Sequence, residues 1–270
     1  MKQMKKITKF LINLTSVGSI VLIATLSASQ FAVMGLQTPK IDDKADTGPG
    51  GPRFIQPTED SLPPGDLPRG TRGPGKCEKG KIKLTALVPE NKTGRTISEY
   101  PVFFFYLPQT EAQQAEFVLQ DEKGNQIYQT TLKTNNSSGV IGVSIPTNQN
   151  VSPLQVGKKY RWSVGLICDT EDRSADVLET GIVRRVELSA DIRSKLEKAD
   201  PRQKAVIYAQ TGIWQDALGT LVAARRANPN DADLAADWKI LLDSVKLGEI
   251  AAEPIVPIEP QPIAPIDPQP

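Results

Sequence analysis

The sequence predicts a mainly β protein with C-terminal helices, an α+β chain in which an antiparallel β-sandwich precedes a small helical hairpin region. Three observations predict it. Between Leu84 and Leu188, apolar residues alternate with polar ones or run unbroken between prolines, in short segments divided by turn residues. Residues 154–164 carry a leucine, glycine and tyrosine corner of a kind found in sandwiches. After Leu188 the apolar spacing changes from two to three and four, the period of an amphipathic helix.

The strands follow in order. Leu84 to Val88 stops at Pro89, and Val102 to Leu107 is an unbroken apolar run closed by Pro101 and Pro108. Ala115, Phe117 and Leu119 alternate with Glu116 and Gln120. The turn Asp121-Glu122-Lys123-Gly124-Asn125 then leads into Ile127 to Leu132, which reads as a hairpin. Ile141, Val143 and Ile145 alternate with Gly142 and Ser144 before Pro146, and Tyr160, Trp162, Val164, Leu166 and Cys168 share one face of the next strand. Gly181 to Leu188 is the last of about seven strands, with no helical pattern among them.

Leu154, Gly157, Tyr160 and Trp162 resemble the corner before the penultimate strand of fibronectin type III and immunoglobulin-like sandwiches. There a tyrosine hydroxyl bonds back to upstream backbone; Tyr160 takes that place here, and Val156 stands where a proline is often found. The corner speaks for fold and not for function.

In the helical part, Ser189 is placed to cap a helix that uses Ile192 and Leu196. Asp200-Pro201 sets a cap before a first-turn proline, and Gly212 ends that helix after Tyr208. Trp214, Ala217, Leu218 and Leu221 recur at helical spacing up to Asn228-Pro229. Trp238, Leu241, Leu242 and Val245 repeat the spacing, with Asp231 or Asp233 as cap and Gly248 as terminator. Tyr208 to Leu218, with Pro229 beyond, is similar to a tetratricopeptide unit, and Tyr208, Trp214, Leu218, Trp238 and Leu242 form the expected core of this annex. A single unit cannot bury its own faces, so the hairpin is expected to pack on the sandwich, a peptide-binding groove being the alternative.

The flanks set the boundaries. Residues 1–29 read as a signal peptide or anchor: Lys2, Lys5, Lys6 and Lys9 precede the mostly apolar Leu11 to Leu26, and Ser27, Ala28 and Ser29 follow where cleavage would occur. The apolar stretch is shorter than the roughly 20 residues that span a bilayer, which favours cleavage over an anchor. The chain is therefore expected in the periplasm, at the cell envelope or outside the cell. Residues 30–76 are Gly/Pro-rich and read as a disordered linker, 77–188 as the sandwich, 189–250 as the annex and 251–270 as an extended, disordered Pro-rich tail.

Composition excludes more chemistry than it suggests. Lysine plus arginine number 32 against 31 aspartates and glutamates, so no global field draws the chain to nucleic acid; membrane contact is expected only through an uncleaved N-terminal anchor. Histidine is absent, which removes the Ser-His and Cys-His catalytic units and the commonest metal ligand. The two cysteines, Cys77 and Cys168, suit one disulfide in an oxidising compartment, with a buried free thiol at Cys168 as the alternative. Gly75 to Lys81 has the spacing of a phosphate-binding loop, but Ile82 stands where a magnesium-coordinating Ser or Thr is required. Asp169, Glu171, Asp172 and Asp176 fit no calcium-loop signature, and the pairs Arg184-Arg185 and Arg225-Arg226 read as a strand edge and a helix face. No catalytic residue, cofactor ligand or metal ligand is assigned.

Taken in order, Leu84 to Pro89, Pro101 to Pro108, Ala115 to Leu119, Tyr160 to Cys168, Gly181 to Val186 and Tyr208 to Leu218 resemble a family of exported cyanobacterial proteins catalogued as domain of unknown function 928. The resemblance runs from Cys77 to Ile250 and implies location and architecture; it offers no activity and no functional residue to carry over. The resulting expectation is an exported, non-enzymatic binding or scaffolding module of the periplasm or cell envelope, its partner an envelope protein, peptide or glycan. The alternatives are a histidine-free, carboxylate-based hydrolase of envelope glycans and a purely structural spacer.

Overall fold

The run Val102 to Leu107 explains the architecture, because an unbroken apolar strand must be covered on both faces. In the computed structural model, which describes residues 50–58, 77–135, 137–147 and 151–256, it is. Phe103, Phe105 and Leu107 point into one core, whereas Phe104 and Tyr106 point into a second. The expected export segment, most of the linker and the end of the Pro-rich tail lie outside the described residues.

The chain is mainly β with four C-terminal helices. The strands are β1 (Glu78–Lys79), β2 (Thr85–Ala86), β3 (Thr93–Thr96), β4 (Val102–Leu107), β5 (Gln109–Thr110), β6 (Gln114–Gln120), β7 (Gln126–Lys133), β8 (Gly139–Ser144), β9 (Lys159–Ile167) and β10 (Val177–Arg185). The helices are α1 (Ala190–Lys198), α2 (Pro201–Gln210), α3 (Trp214–Ala227) and α4 (Ala232–Asp243). A five-stranded sheet has the order β3-β10-β9-β6-β7, a three-stranded sheet the order β2-β4-β8, and β1 pairs with β5.

The two larger sheets share the first core. Phe103 of β4 meets Phe117 of β6 and Trp162 of β9, with ring centroids 5.1 and 5.3 Å apart. Burying each such ring stabilises the fold by about 1.5–3 kcal/mol, with a further contribution from tilted aromatic packing. The helices cover the other face of the three-stranded sheet, where Phe104 and Tyr106 join Trp214, Leu218, Leu221, Trp238 and Leu242.

Two features of the strands depart from the expectation. Among the described strands, all pairs are antiparallel except β3 with β10, which is parallel in the register Thr93 with Ile182 through Thr96 with Arg185. The sequence Thr-Gly-Arg-Thr of β3 carries no apolar alternation because a helix lies on it: a Cβ added at Gly94 would meet Trp214 at 3.4 Å. Its cover comes from α3, so β3 needs no apolar side chain of its own. The strands β1 and β5, each two residues long, are also too short to show a period.

The flanks depart as well. Residues 50–58, expected within the linker, pack on the helices: the Phe54 ring lies edge-on to Trp214 at 5.0 Å, Ile55 N donates to Ala209 O at 3.0 Å, and Phe54 N donates to Ser244 Oγ at 3.0 Å. Residues 251–256, expected in the tail, return to the edge of β8, where Val140 N donates to Pro254 O at 2.7 Å and Val256 N to Val140 O at 2.8 Å. Phe54 and Ile255 supply apolar surface that a proline count hides.

Helix ends follow ordinary capping chemistry. Ser189 accepts from Ile192 N, and Asp200 forms a capping box with Gln203. Gly212, at φ +75°, ends α2, with Ile213 N donating to Tyr208 O. Asp231 and not Asp233 caps α4. Gly248 does not end that helix: Lys246 takes the left-handed position at φ 64°, and Leu247 N donates to Leu242 O at 2.9 Å.

Candidate binding surface

Since Tyr160, Trp162, Val164 and Leu166 face the core, alternation turns Lys159, Arg161 and Ser163 to the outer face of the five-stranded sheet. The register then aligns cations across strands. Arg184 of β10 lies opposite Lys159 of β9 on one side and Arg95 of β3 on the other. Arg161 lies between Ile182 of β10 and Gln120 of β6. Like charges directly opposite one another cost up to about 1 kcal/mol per pair.

Beside the row, the β6–β7 turn rises over a cleft of about 430 Å³ lined by Gln120, Glu122, Lys123, Lys159, Arg161 and Ile182. The two carboxylates of the turn are held by its own backbone and neighbours. Asp121 accepts from Lys123 N and Asn125 N, each at 2.8 Å, and from Asn125 Nδ2 at 2.8 Å; the Asn125 side-chain bond in particular holds its carboxyl below the usual range. Glu122 Oε1 accepts from Lys159 N at 3.1 Å. Among the described residues, the Lys159 and Arg161 side chains have no ion-pair partner.

The other predicted positions are structural. Cys77 and Cys168 are disulfide-bonded, with Cα atoms 5.5 Å apart. At the corner, Leu154 is buried, Gly157 has φ +81°, the Tyr160 hydroxyl accepts from Gln155 N at 2.8 Å, and Trp162 is wholly buried. Trp214, Leu218, Trp238 and Leu242 are buried together under the helices, with Tyr208 partly exposed against them. The acidic loop is largely exposed and bonds within itself: Asp169 accepts from Glu171 N, Asp172 from Ser174 N, and Asp176 from Cys168 N and the Arg173 guanidinium. Among the described residues, no group of three His, Cys, Asp or Glu is placed to hold a metal ion.

Of the two arginine pairs, Arg225-Arg226 lies on a helix as expected, and Arg184-Arg185 is placed differently. Arg184-Arg185 is not at a strand edge, because β10 lies between β3 and β9; Arg184 faces out, and Arg185 turns to the corner, donating to Leu154 O at 2.6 Å and Glu99 Oε1 at 3.1 Å. On α3, Arg225 lies 5.4 Å above the Trp238 ring and Arg226 donates to Val256 O at 3.2 Å. The cation row went unnoticed in the sequence because its members come from three strands. Lys159-x-Arg161 was the only local sign of it.

One buried acid titrates near neutrality. Asp216, in the first turn of α3, accepts from Ile97 N at 3.1 Å and bonds Thr96, but burial outweighs both and pushes its carboxyl up to about 6 from 3.8. A raised folded-state value means that the folded chain holds this proton more tightly. Its contribution to stability is therefore fully present below the unfolded value and is lost as pH rises through about 6. The swing is up to about 3 kcal/mol. Thermal unfolding of the wild type is expected to lose stability between about pH 4.5 and pH 7 relative to Asp216→Asn, which keeps an acceptor for Ile97 N. Parallel pH profiles of the two proteins would remove the assignment.

No helix among the described residues is long and apolar enough to cross a membrane. No curated protein matches the chain. The chain belongs to the family described as Domain of Unknown Function (DUF928), whose model matches residues 68–255.

Proposed function

We propose, from membership of a family without an assigned activity, that this chain is an exported, non-enzymatic binding module of a cyanobacterial cell envelope. In this reading β1–β10 form an immunoglobulin-like sandwich, and α2 and α3 form a tetratricopeptide-like hairpin that braces it. The observation that carries the binding function is the outer face of the five-stranded sheet, where Arg95, Arg184 and Lys159 stand in one cross-strand row beside an open cleft. Export is supported by the Cys77–Cys168 bond, which belongs to an oxidising compartment, and by the basic, then apolar, N-terminal sequence.

The hydrolase reading has less support. Carboxylate-based glycoside hydrolysis requires two acids facing each other across a substrate site, one of them held protonated. The cleft acids Asp121 and Glu122 are adjacent in one turn, both accept backbone hydrogen bonds, and Asp121 is held ionised.

Fractionation of the native host, with thiols alkylated before lysis, tests the proposal. The protein is expected in the envelope or periplasmic fraction, shortened at its N-terminus or membrane-attached, with both cysteines unreactive. Recovery in the cytoplasm with two reactive thiols would overturn it.

A further inference from the structure

We infer that the cation-lined face of the five-stranded sheet binds an acidic polysaccharide, a linear chain bearing carboxylate or sulfate groups among hydroxyls. The inference rests on the binding-module reading above and names the ligand class of that site.

The site lies on the face of the sheet and not at an edge. Every strand that contributes to it except β3 has a hydrogen-bonded neighbour on both sides, and α3 lies against β3. The strands that line the cleft, β6, β9 and β10, are paired on both sides and offer no free row of backbone N–H and C=O groups to an added peptide strand, so recognition there falls to side chains. Those side chains suit a polymer with both charges and hydroxyls: Lys123, Lys159 and Arg161 supply charge, while the Gln120 amide, at the same cleft, donates and accepts. From the cleft the cations continue through Arg184 to Arg95, three strands that span about 10 Å at ordinary strand spacing, which is longer than a single small anion needs.

Other anionic partners fit less well. Among the described residues, the outer positions of these strands carry no aromatic ring on which a nucleic-acid base would stack. A bilayer presents a flat surface, whereas Lys159 and Arg161 line a concavity overhung by the β6–β7 turn. The acids that line the site are Asp121, tied into that turn, and Glu122, which accepts from Lys159 N; three cations, Lys123, Lys159 and Arg161, stand against these two.

Residues 77–256 belong to the full exported chain used for the test. Immobilised alginate is the probe, with liposomes containing anionic phospholipid and poly-glutamate as comparison ligands. The wild type is expected to bind alginate at about 50 mM salt, with affinity falling steeply toward about 200 mM. Lys159→Glu combined with Arg161→Glu is expected to weaken binding by at least about tenfold, and Lys123→Glu alone by a smaller factor in the same direction. Arg193→Glu with Lys195→Glu, an equal charge change on exposed positions of α1, is expected to leave binding unchanged. Circular dichroism and thermal unfolding confirm that each variant is folded.

Absence of alginate binding, equal losses in the α1 control, or tighter binding to liposomes or poly-glutamate would each overturn the inference. An envelope-localised protein with no affinity for alginate would defeat this ligand class alone. A cytoplasmic protein would defeat the reading on which it rests.

Discussion

Replacing Cys77 or Cys168 with serine is expected to lower stability by about 4 kcal/mol. The bond joins residues 91 positions apart, so in the unfolded chain it closes a long loop. On the chain-entropy model the stabilisation grows with the logarithm of loop length and reaches about 4–5 kcal/mol for a loop of this size. The folded ends are held by other contacts. Cys77 O accepts from Thr110 Oγ1 at 2.8 Å and from Glu111 N at 2.9 Å, while Cys168 N donates to Asp176 Oδ1 at 3.2 Å. The reduced protein is therefore expected to keep its fold and to unfold more easily, with a melting temperature roughly 10–15 °C lower at about 2–4 °C per kcal/mol. Thermal unfolding with and without reductant measures this. A wild-type melting temperature that reductant leaves in place would show that the bond does not constrain the unfolded chain.

That cross-link was legible as a pair of cysteines, and their separation of 91 residues sets the size of its contribution. The rest of the fold was legible in part. The long strands β6, β7, β8 and β9 were readable because their inward faces are largely apolar at period two, as in Ala115, Phe117 and Leu119, and β4 because its apolar run is unbroken; the last strand, expected over Gly181 to Leu188, is Val177–Arg185, its first half hidden because Glu179 and Gly181 break the inward period. The helix caps Ser189 and Asp200 were readable because a short acceptor side chain before an apolar period has one ordinary use.

β3 was not readable. Its Thr-Gly-Arg-Thr carries the imprint of a helix packed on it, and that helix lies more than a hundred residues further along the chain. The same reasoning covers Phe54 and Ile255, members of short apolar pairs in proline-rich sequence whose partners are distant. The candidate site was hidden for a related reason. Lys159 and Arg161 are two residues apart, but Arg184 and Arg95 join them only through the β9–β10 and β10–β3 registers, and a register is a property of the assembled sheet.

Trp214→Ala is expected to cost roughly 5 kcal/mol, because Trp214 fastens the helices to the sheet by packing and by a hydrogen bond at once. The side chain is wholly buried, its ring meets Phe54, and its Nε1 donates to Leu87 O at 2.8 Å. Leu87 is itself wholly buried, so truncation leaves both a cavity and a carbonyl without its donor. Trp162 provides the internal control. It is equally buried, between Phe103 and Phe117, but its Nε1 has no hydrogen-bond partner. Phenylalanine at either position removes similar ring volume while keeping an aromatic core. At 214 the change also strands the Leu87 carbonyl, at about 1–3 kcal/mol; at 162 it removes a buried donor that is already unpaired, which offsets part of the packing loss. Trp214→Phe is therefore expected to be about 2–4 kcal/mol more destabilising than Trp162→Phe in denaturant unfolding. Equal losses in the two variants would mean that the indole-to-carbonyl bond contributes nothing and that packing alone holds the helices to the sheet.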